Sequence, residues 1–390
     1  MSELRANTDR LVRDFFQLTS IDSLSLQERE LADAVIPLLR ELGCTVEEDD
    51  AAAAIGGNCG NILARLPGYP PGGSQAQCAP ILLAAHMDTV VPGLGKKAVM
   101  HEDGLITGDG EAVLGADDVT GIVEILEGIR ILQENQVPHR PIEILLSFSE
   151  ENYALGVKAF DVDKIKAKDA YVMDLTGPIG PAAVQAPSLI WFEIVVEGKA
   201  AHAGFEPENG INALQAAAKA IARLPQGHID EKTTFNIGKI KGGRVSNIVP
   251  DSCTLTGEVR SYDHQHAEDI MQEVEKVFRE ETEKLGATFT MNQQLGIKAY
   301  KIPEDSSVCR RYLKALDCIG ITAETLDRKD VFVSTFGGSD NNHLSNNGLQ
   351  GIVAASGMYN PHSTSEYTYV KDLEKGAELI AALCMIKDEE

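Results

Sequence analysis

The chain of 390 residues carries 59 acidic and 35 basic residues, which gives a formal net charge of −24, and 43% of its residues are hydrophobic. This balance is that of a soluble globular protein and not of a disordered chain. The negative charge argues against nucleic acid and anionic membranes as partners, because both are bound through positively charged surfaces.

The length of the chain, its first residues and its cysteines indicate how many domains it has and where it is located. At this length about two domains are expected, because one hydrophobic core rarely organises so many residues. Residues 1–16 do not contain the apolar stretch of a signal peptide, and no apolar run reaches the length of a membrane span. Seven cysteines stand singly without CxxC spacing, which fits a reducing compartment. We therefore predict a cytoplasmic protein.

The first 177 residues alternate between helical and strand patterns. Apolar residues at helical spacing predict helices at 8–18 and 26–43, with Gly43 ending the second. Strands are predicted at 61–66, 81–85, 141–148 and 170–173, and the unbroken apolar run at 81–85 is typical of a strand buried on both faces. A Pro- and Gly-rich loop is predicted at 68–78 and a helix at 119–132. This alternation predicts an α/β fold, a mixed sheet flanked by helices.

From about residue 178 the strand pattern changes to one of half-solvated strands. Strands are predicted at 189–197, 252–260 and 287–293, and helices at 211–224 and 263–285. This grouping predicts a smaller α+β domain over residues 178–293. Buried strands return at 331–335 and 351–354, followed by a helix at 370–386. The larger domain, 1–177 and 294–390, is therefore split by the smaller one.

Acidic and imidazole side chains stand at the ends of five apolar runs or next to them. They are His86, Asp117, Glu151, Asp174 and His362. Because sites in α/β proteins form where strands end at the carboxyl edge of the sheet, the fold can bring these residues together. Two imidazoles and three carboxylates are ligand types that zinc prefers, and a shared carboxylate would make a two-metal site.

Each of these residues, taken singly, has an ordinary structural explanation. Asp88 lies two residues beyond His86, so the two can form a buried hydrogen-bonded pair with or without a metal. Asp117 can cap the following helix, although the adjacent Asp118 is then costly unless a cation neutralises both. Asp174 can bind the amides of the turn that follows it. Their common placement at strand ends favours a site.

Two further choices concern the general base and the last ligand. Glu150 and Glu151 follow the strand at 141–148 and point in different directions, so one can bind a metal while the other acts as general base. Elsewhere a Glu-Glu pair would be surface charge. His343 and His362 compete for the last ligand position. His343 lies where a helix is expected to begin, and His362 follows a strand and a turn, so His362 is preferred.

These residues occur in a set of motifs that resembles the M20 family of co-catalytic zinc peptidases, most closely its peptidase T-like members. The motifs are AAHMDTV, GADDVTG, SEEN, VMD, GKAAHAGFEPENGINA, SNIVPD, GEVRSYD, GGSDNNHL and HSTSEY, in this order, and they span nearly the whole chain. The resemblance implies a zinc-exopeptidase-like catalytic domain with an inserted lid that also forms a homodimer. It also implies two Zn²⁺ per subunit, with Co²⁺ or Mn²⁺ as alternatives.

The resemblance assigns a role to each residue of the catalytic domain. The metal ligands would be His86 and Asp174 on one ion, Glu151 and His362 on the other, and Asp117 bridging both. Asp88 would orient the His86 ring. Glu150 would be the general base that carries a proton from the attacking water to the leaving amine.

The inserted domain and one later loop would complete the site. His202, otherwise an ordinary loop histidine, would reach the partner subunit's active site and stabilise the oxyanion as a hydrogen-bond donor. Asn247 and Arg260 would meet the backbone or carboxylate of the substrate, for which the bidentate guanidinium of arginine is suited. Gly338 and Ser339 would line the floor of the site.

The function implied is that of a dizinc aminopeptidase acting on short peptides, of tripeptidase type. The chain departs from many relatives at Val119, where they carry lysine, and at Asn152. An amidohydrolase that removes acyl groups from amino acids is the alternative, because the same metal site cleaves either bond. A catalytically silent scaffold is a third interpretation, and the presence of Glu150 and all five ligands argues against it.

Overall fold

The computed structural model describes residues 4–322 and 330–387. Internal contacts divide the chain into two compact units. The larger one contains the residues up to Gln185, Lys301–Thr335 and those from Ser339 onward, and the smaller one contains Ala186–Tyr300 and Phe336–Gly338. The chain passes between the units after Gln185 and after Tyr300, a few residues beyond the predicted 177 and 293, because strand Ala182–Ala186 still pairs within the sheet of the larger unit.

The helices of the described residues are α1 (Thr8–Thr19), α2 (Arg29–Glu41), α3 (Ala52–Ile55), α4 (Ala116–Glu134), α5 (Leu155–Ala159), α6 (Ala213–Ile221), α7 (His264–Leu285), α8 (Ser307–Cys318), α9 (Asp340–Asn346) and α10 (Val370–Met385). Within these residues, none of the helices has both the length and the apolar character that crossing a membrane requires. The helix predicted at 26–43 begins later, since Leu26 has φ 71°, and Gly43 follows its end with φ 80°.

The strands of the described residues are β1 (Thr45–Glu48), β2 (Ile62–Leu66), β3 (Ile81–His86), β4 (Val99–Met100), β5 (Leu105–Thr107), β6 (Ile142–Ser147), β7 (Asp169–Leu175), β8 (Ala182–Ala186), β9 (Ser188–Glu197), β10 (Gly227–Asp230), β11 (Thr233–Gly242), β12 (Ser252–Ser261), β13 (Thr288–Ile297), β14 (Tyr300–Lys301), β15 (Phe332–Ser334), β16 (Gln350–Ala355), β17 (Met358–Tyr359) and β18 (Tyr367–Tyr369). Those at the centre of the larger sheet overlap the strands predicted at 81–85, 141–148, 170–173 and 351–354.

A mixed sheet organises the larger unit and confirms the predicted α/β class. Its order is β1-β2-β6-β3-β7-β16-β8-β14, with β15 paired to β8. The central strands β6, β3, β7 and β16 run parallel. Every residue of β3 and β6 is buried, as expected for parallel strands covered on both faces. A small sheet, β17-β18-β5-β4, also belongs to this unit.

Helices α4 and α10 of the larger unit approach each other closely at two glycines. A Cβ at Gly128 of α4 would lie 2.6 Å from Cγ2 of Ile380 in α10. A Cβ at Gly376 of α10 would lie 2.0 Å from the carboxylate carbon of Glu124 in α4. Glu124 is fully buried by this packing, and neither carboxylate oxygen has a hydrogen-bond partner among the described residues. The helix pair therefore encloses an acidic side chain.

An antiparallel sheet of order β10-β11-β12-β9-β13 forms the smaller unit, together with α6 and α7. Burial alternates along β9, where Phe192 and Ile194 are buried and Trp191 and Glu193 are half-buried. Phe192 stacks on Phe235 of β11 with ring centroids 5.6 Å apart. One face of this sheet thus builds the core with the helices, as the alternating sequence pattern predicts.

Candidate active site

Acidic and imidazole residues gather where the central strands of the larger sheet end. His86 is the last residue of β3, Glu150 follows β6 closely, and Asp174 lies near the end of β7. Because β3 is parallel to both β6 and β7, these ends lie at the same edge of the sheet. Asp117 reaches this edge from the beginning of α4, and His362 from the loop between β17 and β18.

Asp117 lies between the two imidazoles. Its Oδ1 is 2.9 Å from Nε2 of His86, and its Oδ2 is 3.2 Å from Nε2 of His362. Nε2 of His86 also lies 3.8 Å from Oδ1 of Asp174, and Nε2 of His362 also lies 2.9 Å from Oε1 of Glu151. Two three-residue groups therefore share Asp117, and within each group the potential ligand atoms lie within 4.8 Å of one another.

The electrostatics of this cluster are those of acids crowded away from water. Burial raises the pKa of Asp174 well above its usual range, and the neighbouring Asp117 raises it further. Burial also raises the pKa of Glu151. Burial opposes ionisation of Asp117 as well, but hydrogen bonds with His362 and His86 lower its pKa below the usual value. The donor set fits a pair of divalent cations, whose charge would neutralise the buried Asp117 and the half-buried Glu151 and Asp174.

The two imidazoles differ in exposure. The His86 side chain is 2% exposed, whereas that of His362 is 55% exposed. Hydrogen bonds with Asp117 and Glu151 raise the pKa of His362 to about 10. His343, the competing residue, is not part of either three-residue group among the described residues, and burial lowers its pKa.

Asp88 contacts the loop after β6 more closely than it contacts the His86 ring. Nδ1 of His86 lies 3.0 Å from the main-chain oxygen of Asp88 and 3.4 Å from its carboxylate. The carboxylate accepts hydrogen bonds from the amides of Glu150 at 2.8 Å and Glu151 at 3.1 Å, and from the Ser25 hydroxyl at 2.6 Å. The carboxylate therefore fixes the loop that carries the expected base and one expected ligand.

A second buried carboxylate, that of Glu28, supports the same loop. It accepts hydrogen bonds from the amides of Ser149 at 3.0 Å and Leu26 at 2.8 Å, both residues with positive φ. Ser149 precedes Glu150, whose side chain is buried. Burial raises the pKa of Glu150 well above its usual range, with Asp174 as the next cause. The sequence offered no signal for Glu28 beyond its place at the start of a helix.

Glu366 and Asp118 hold the backbone on the other side of the cluster. The Glu366 carboxylate accepts hydrogen bonds from the amides of Gly115 at 2.7 Å and Asp117 at 2.9 Å. Burial raises the pKa of Glu366 to about 7. Asp118 accepts a bond from the amide of His86 at 3.1 Å, so the second aspartate of the pair binds backbone. The motif HSTSEY contains Glu366, but its loop composition gave no reason to assign it a role.

The residues expected at the floor of the site belong to the start of α9. Ser339 is the N-cap of this helix, and its hydroxyl accepts a bond from the amide of Asn341. Asp340 is buried and bonds to the hydroxyl of Ser147, the last residue of β6. Gly338 groups with the smaller unit. The side chain of Ser339 is therefore engaged in capping, and its expected substrate contact stays a prediction.

In the smaller unit, His202 and Asn247 lie on adjacent segments. The amide of Ala203 donates to the main-chain oxygen of Asn247 at 3.0 Å. Nδ1 of His202 accepts bonds from the amides of Gly204 and Phe205, at 3.1 and 3.2 Å. A neutral His202 ring therefore carries its proton on Nε2 and can donate from that exposed side.

Arg260 lies on β12 and is already paired. Its Nε donates to Glu258 Oε1 at 2.8 Å, and Nη2 to the other carboxylate oxygen at 3.3 Å. Nη1 donates to the main-chain oxygen of Phe336 at 2.8 Å. A substrate carboxylate would have to compete with Glu258, so the expected role of Arg260 remains a prediction.

Known proteins resemble this chain along almost its whole length. A family model described as the M20 peptidase dimerisation domain matches residues 185–285, close to the smaller unit, and one for peptidase family M28 matches residues 61–224. YqjE of Bacillus subtilis (strain 168), itself uncharacterised, is 34% identical over 377 residues, which cover 97% of this chain and 98% of that protein.

Two solved structures extend the likeness to three dimensions. The aminopeptidase PepT of Bacillus cereus ATCC 10987 is 34% identical, with a TM-score of 0.87, over 97% of this chain and 98% of that one. A tripeptidase of Staphylococcus aureus subsp. aureus Mu50 is 29% identical, with a TM-score of 0.91, over 98% of both chains. The similarity to these two proteins, in sequence and in fold, therefore extends over both units.

Proposed function

The chain belongs to the M20 family of metallopeptidases, among its peptidase T-like members, and from this membership we propose that it is an aminopeptidase acting on short peptides, tripeptides first. The similar structures of an aminopeptidase and a tripeptidase support this substrate class. The observation that carries the proposal is the pair of donor groups that share Asp117 beside the buried Glu150.

The proposed cofactor is a pair of Zn²⁺ ions, with Co²⁺ or Mn²⁺ as alternatives of similar ligand preference. His86 and Asp174 would hold one ion, Glu151 and His362 the other, and Asp117 would belong to both. When bound, the ions supply Lewis acidity for hydrolysis of the peptide bond. Crowding of buried carboxylates supports this assignment, because their mutual repulsion needs a positive counter-charge.

The chain's own residues would then move the proton and hold the geometry. Glu150 accepts the proton of the attacking water and gives it to the leaving amine, a role for which a buried carboxylate with a raised pKa is suited. Asp88 and Glu28 keep its loop in place through the amides of Glu150 and Ser149. His202 donates from Nε2 to the oxyanion in the partner subunit.

The proposed assembly is a homodimer formed through the smaller unit. The match of residues 185–285 to a peptidase dimerisation domain supports it. In this proposal the smaller unit acts as the lid of the active site. A cytoplasmic location, predicted from the sequence, is kept as part of the proposal, and the free state of all seven cysteines agrees with it.

The test is a comparison of substrates with Zn²⁺-loaded protein. We expect release of the first residue from free tripeptides and none from the same tripeptides after N-terminal acetylation. A chelator should abolish release, and Zn²⁺, Co²⁺ or Mn²⁺ should restore it. Activity confined to N-acyl amino acids would refute the peptidase and favour the deacylase alternative. No hydrolysis of either class would favour a silent scaffold.

A further inference from the structure

His362 belongs to a loop whose backbone is strained. This loop, residues 360–366, joins β17 to β18 and is called the His362 loop. Asn360 has φ 50° and His362 has φ 61°, values in the left-handed region that residues other than glycine rarely adopt. Such a conformation persists only where the surrounding structure holds it. Because the His362 side chain is also 55% exposed, its position depends on how the two ends of the loop are held.

The end of the His362 loop that leads into β18 is held by main-chain hydrogen bonds. The Glu366 carboxylate accepts bonds from the amides of Gly115 at 2.7 Å and Asp117 at 2.9 Å. The amide of Glu366 donates to the main-chain oxygen of Ser363 at 3.0 Å. Each residue of β18 then pairs with a residue of β5. This end of the loop is therefore fixed to the small sheet and to the start of α4.

At the other end of the loop, the side chain of Tyr359 makes the nearest contacts. Strand β17 has two residues and lies at the edge of its sheet, and it pairs with β18 through Met358↔Thr368 and Tyr359↔Tyr367. The rings of Tyr359 and Tyr367 stack across the second pair, with centroids 4.9 Å apart and 5° between their planes. The Tyr359 hydroxyl donates to the Asp372 carboxylate in α10 at 2.9 Å. Tyr359 is thus joined to both β18 and α10.

A third ring packs against this stacked pair. Tyr369 lies edge-on to both rings, with its centroid 5.8 Å from that of Tyr359 and 5.7 Å from that of Tyr367. Nζ of Lys371 lies 4.8 Å from the centroid of Tyr369. Stacked and edge-to-face arrangements are the favourable geometries of aromatic pairs. These three rings, called the tyrosine cluster, therefore stabilise the hairpin at the base of the His362 loop.

We infer that Tyr359 and Tyr367 are positioning residues for His362 and set the affinity of the cation proposed for Glu151 and His362. The inference rests on the proposed function, which supplies the cation, and it concerns residues outside both three-residue groups. Without the stacked pair, the strained loop would relax and the imidazole would leave its place beside Asp117 and Glu151. Residues that orient a metal ligand commonly change metal affinity in this way.

The test is competition for zinc between the Zn²⁺-loaded protein and a chromophoric chelator of known affinity. The unmodified protein should give up two ions per chain. In Y367L, which loses the stacked ring but keeps an apolar side chain, we expect one of the two ions to be bound at least about tenfold more weakly. The other ion should change less, because His86 and Asp174 belong to β3 and β7.

Two control variants separate the stacked pair from tyrosines in general. Y367F keeps the ring and should bind both ions as the unmodified protein does. Y69L is the matched control, because Tyr69 also stacks on a ring, that of His139, but outside the tyrosine cluster and ahead of β6. It should also bind both ions unchanged. A loss in Y69L equal to that in Y367L would contradict a specific role of the cluster.

A double variant distinguishes positioning of His362 from a general loss of stability. H362A should itself weaken one ion, and Y367L should add no further effect in H362A/Y367L, because both changes act on the same ligand. A further loss in the double variant as large as that in Y367L alone would mean that Tyr367 acts through the stability of the fold, and it would overturn the inference.

Y359F is the milder variant, for the case that Y367L does not fold. It keeps all three rings, loses the bond to Asp372 and should weaken the same ion about threefold or more. Two ions held as tightly as in the unmodified protein, in Y367L or in Y359F where Y367L is unfolded, would overturn the inference and leave the proposed function standing. Absence of bound zinc in the unmodified protein would refute the proposed metal centre and the inference with it.

Discussion

Carboxylates around the site divide into two kinds according to what they bind. Asp117, Glu151 and Asp174 face the imidazoles, whereas Asp88 and Glu366 each accept two main-chain amides. A carboxylate that accepts several amide bonds fixes a loop geometry that no regular secondary structure would fix. Asp88 and Glu366 therefore hold the backbone at Glu151 and at Asp117, two carboxylates of the first kind.

Replacement of Glu150 tests the proposed base. We expect E150Q to lower kcat on tripeptides by about 10²–10⁴-fold, because the amide cannot accept the proton. Elemental analysis should find the metal content unchanged. E151Q is the contrast, since it removes a proposed ligand and should lower the metal content instead. Unchanged turnover in E150Q would exclude Glu150 as the base.

Replacement of Glu366 tests the positioning of Asp117. In E366Q, the side-chain NH₂ would face one of the two amides that the carboxylate now accepts from. We expect the free energy of unfolding to fall by about 1–3 kcal/mol and metal affinity to fall about 10–100-fold. The control is E111Q, which replaces an exposed glutamate in the loop between β5 and α4 that also contains Gly115. Equal metal affinity in both variants would contradict the positioning role.

The sequence predicts the ligand types of the site but not the residues that support them. His86, Asp117, Glu151, Asp174 and His362 are recognisable because they follow or flank apolar runs, and the structure brings them together. Glu28 and Glu366 could not be found in this way. Their partners are amides, which every residue carries, so the sequence contains no pattern for the pairing.

At the scale of elements, the packing of α4 against α10 has a pH dependence. Burial raises the pKa of Glu124 well above its ordinary value of 4.5, and Asp118 adds to the effect. The folded protein therefore keeps this proton while the unfolded chain loses it. Stability must then fall as the pH rises above the ordinary range of a glutamate.

Replacement of Glu124 by glutamine should reduce this loss of stability at higher pH. Between about pH 5 and about pH 8, we expect the free energy of unfolding of E124Q to fall less than that of the unmodified protein, because the glutamine side chain does not titrate in this range. Urea unfolding at the two pH values measures this. E134Q on the same helix is the control, since a hydrogen bond with Arg10 lowers the pKa of Glu134. A parallel decline in E124Q and the unmodified protein would contradict the prediction.

Elements differ in how well the sequence predicts them. Buried strands such as β3 are readable because both faces are apolar. Strand β11 was not predicted, because its sequence TTFNIGKIKG has two glycines and two lysines and low strand propensity. Its pairing with β12, from Thr233↔Ser261 to Gly242↔Cys253, imposes the conformation. Helix α8 was also missed, although Val308, Tyr312 and Ala315 provide a buried helical stripe.

At the scale of the whole molecule, the proposed function needs residues from two subunits. A heterodimer of one H202A subunit and one E150Q subunit tests this. The H202A subunit keeps Glu150, and its partner keeps His202, so one complete site would form if His202 acts across the interface. We expect each variant alone to be nearly inactive and the co-expressed, doubly tagged heterodimer to regain activity.

Two controls accompany the heterodimer. A dimer of two H202A subunits that carry the same two tags should stay inactive. Size-exclusion chromatography with light scattering should give the mass of a dimer for every sample. An inactive heterodimer of full dimer mass would mean that His202 acts within its own subunit. Activity of the dimer of two H202A subunits would mean that His202 has no part in turnover.

The unequal exposure of His86 and His362 bears on how the purified protein is handled. In the proposed two-metal site, an ion held by the buried His86, 2% exposed, would exchange slowly with bulk water, whereas one held by His362, 55% exposed, would leave more quickly. Residence times would differ, and dilution or dialysis would yield molecules with a single cation. Specific activity would then depend on a sample's history, so metal stoichiometry should accompany each kinetic measurement.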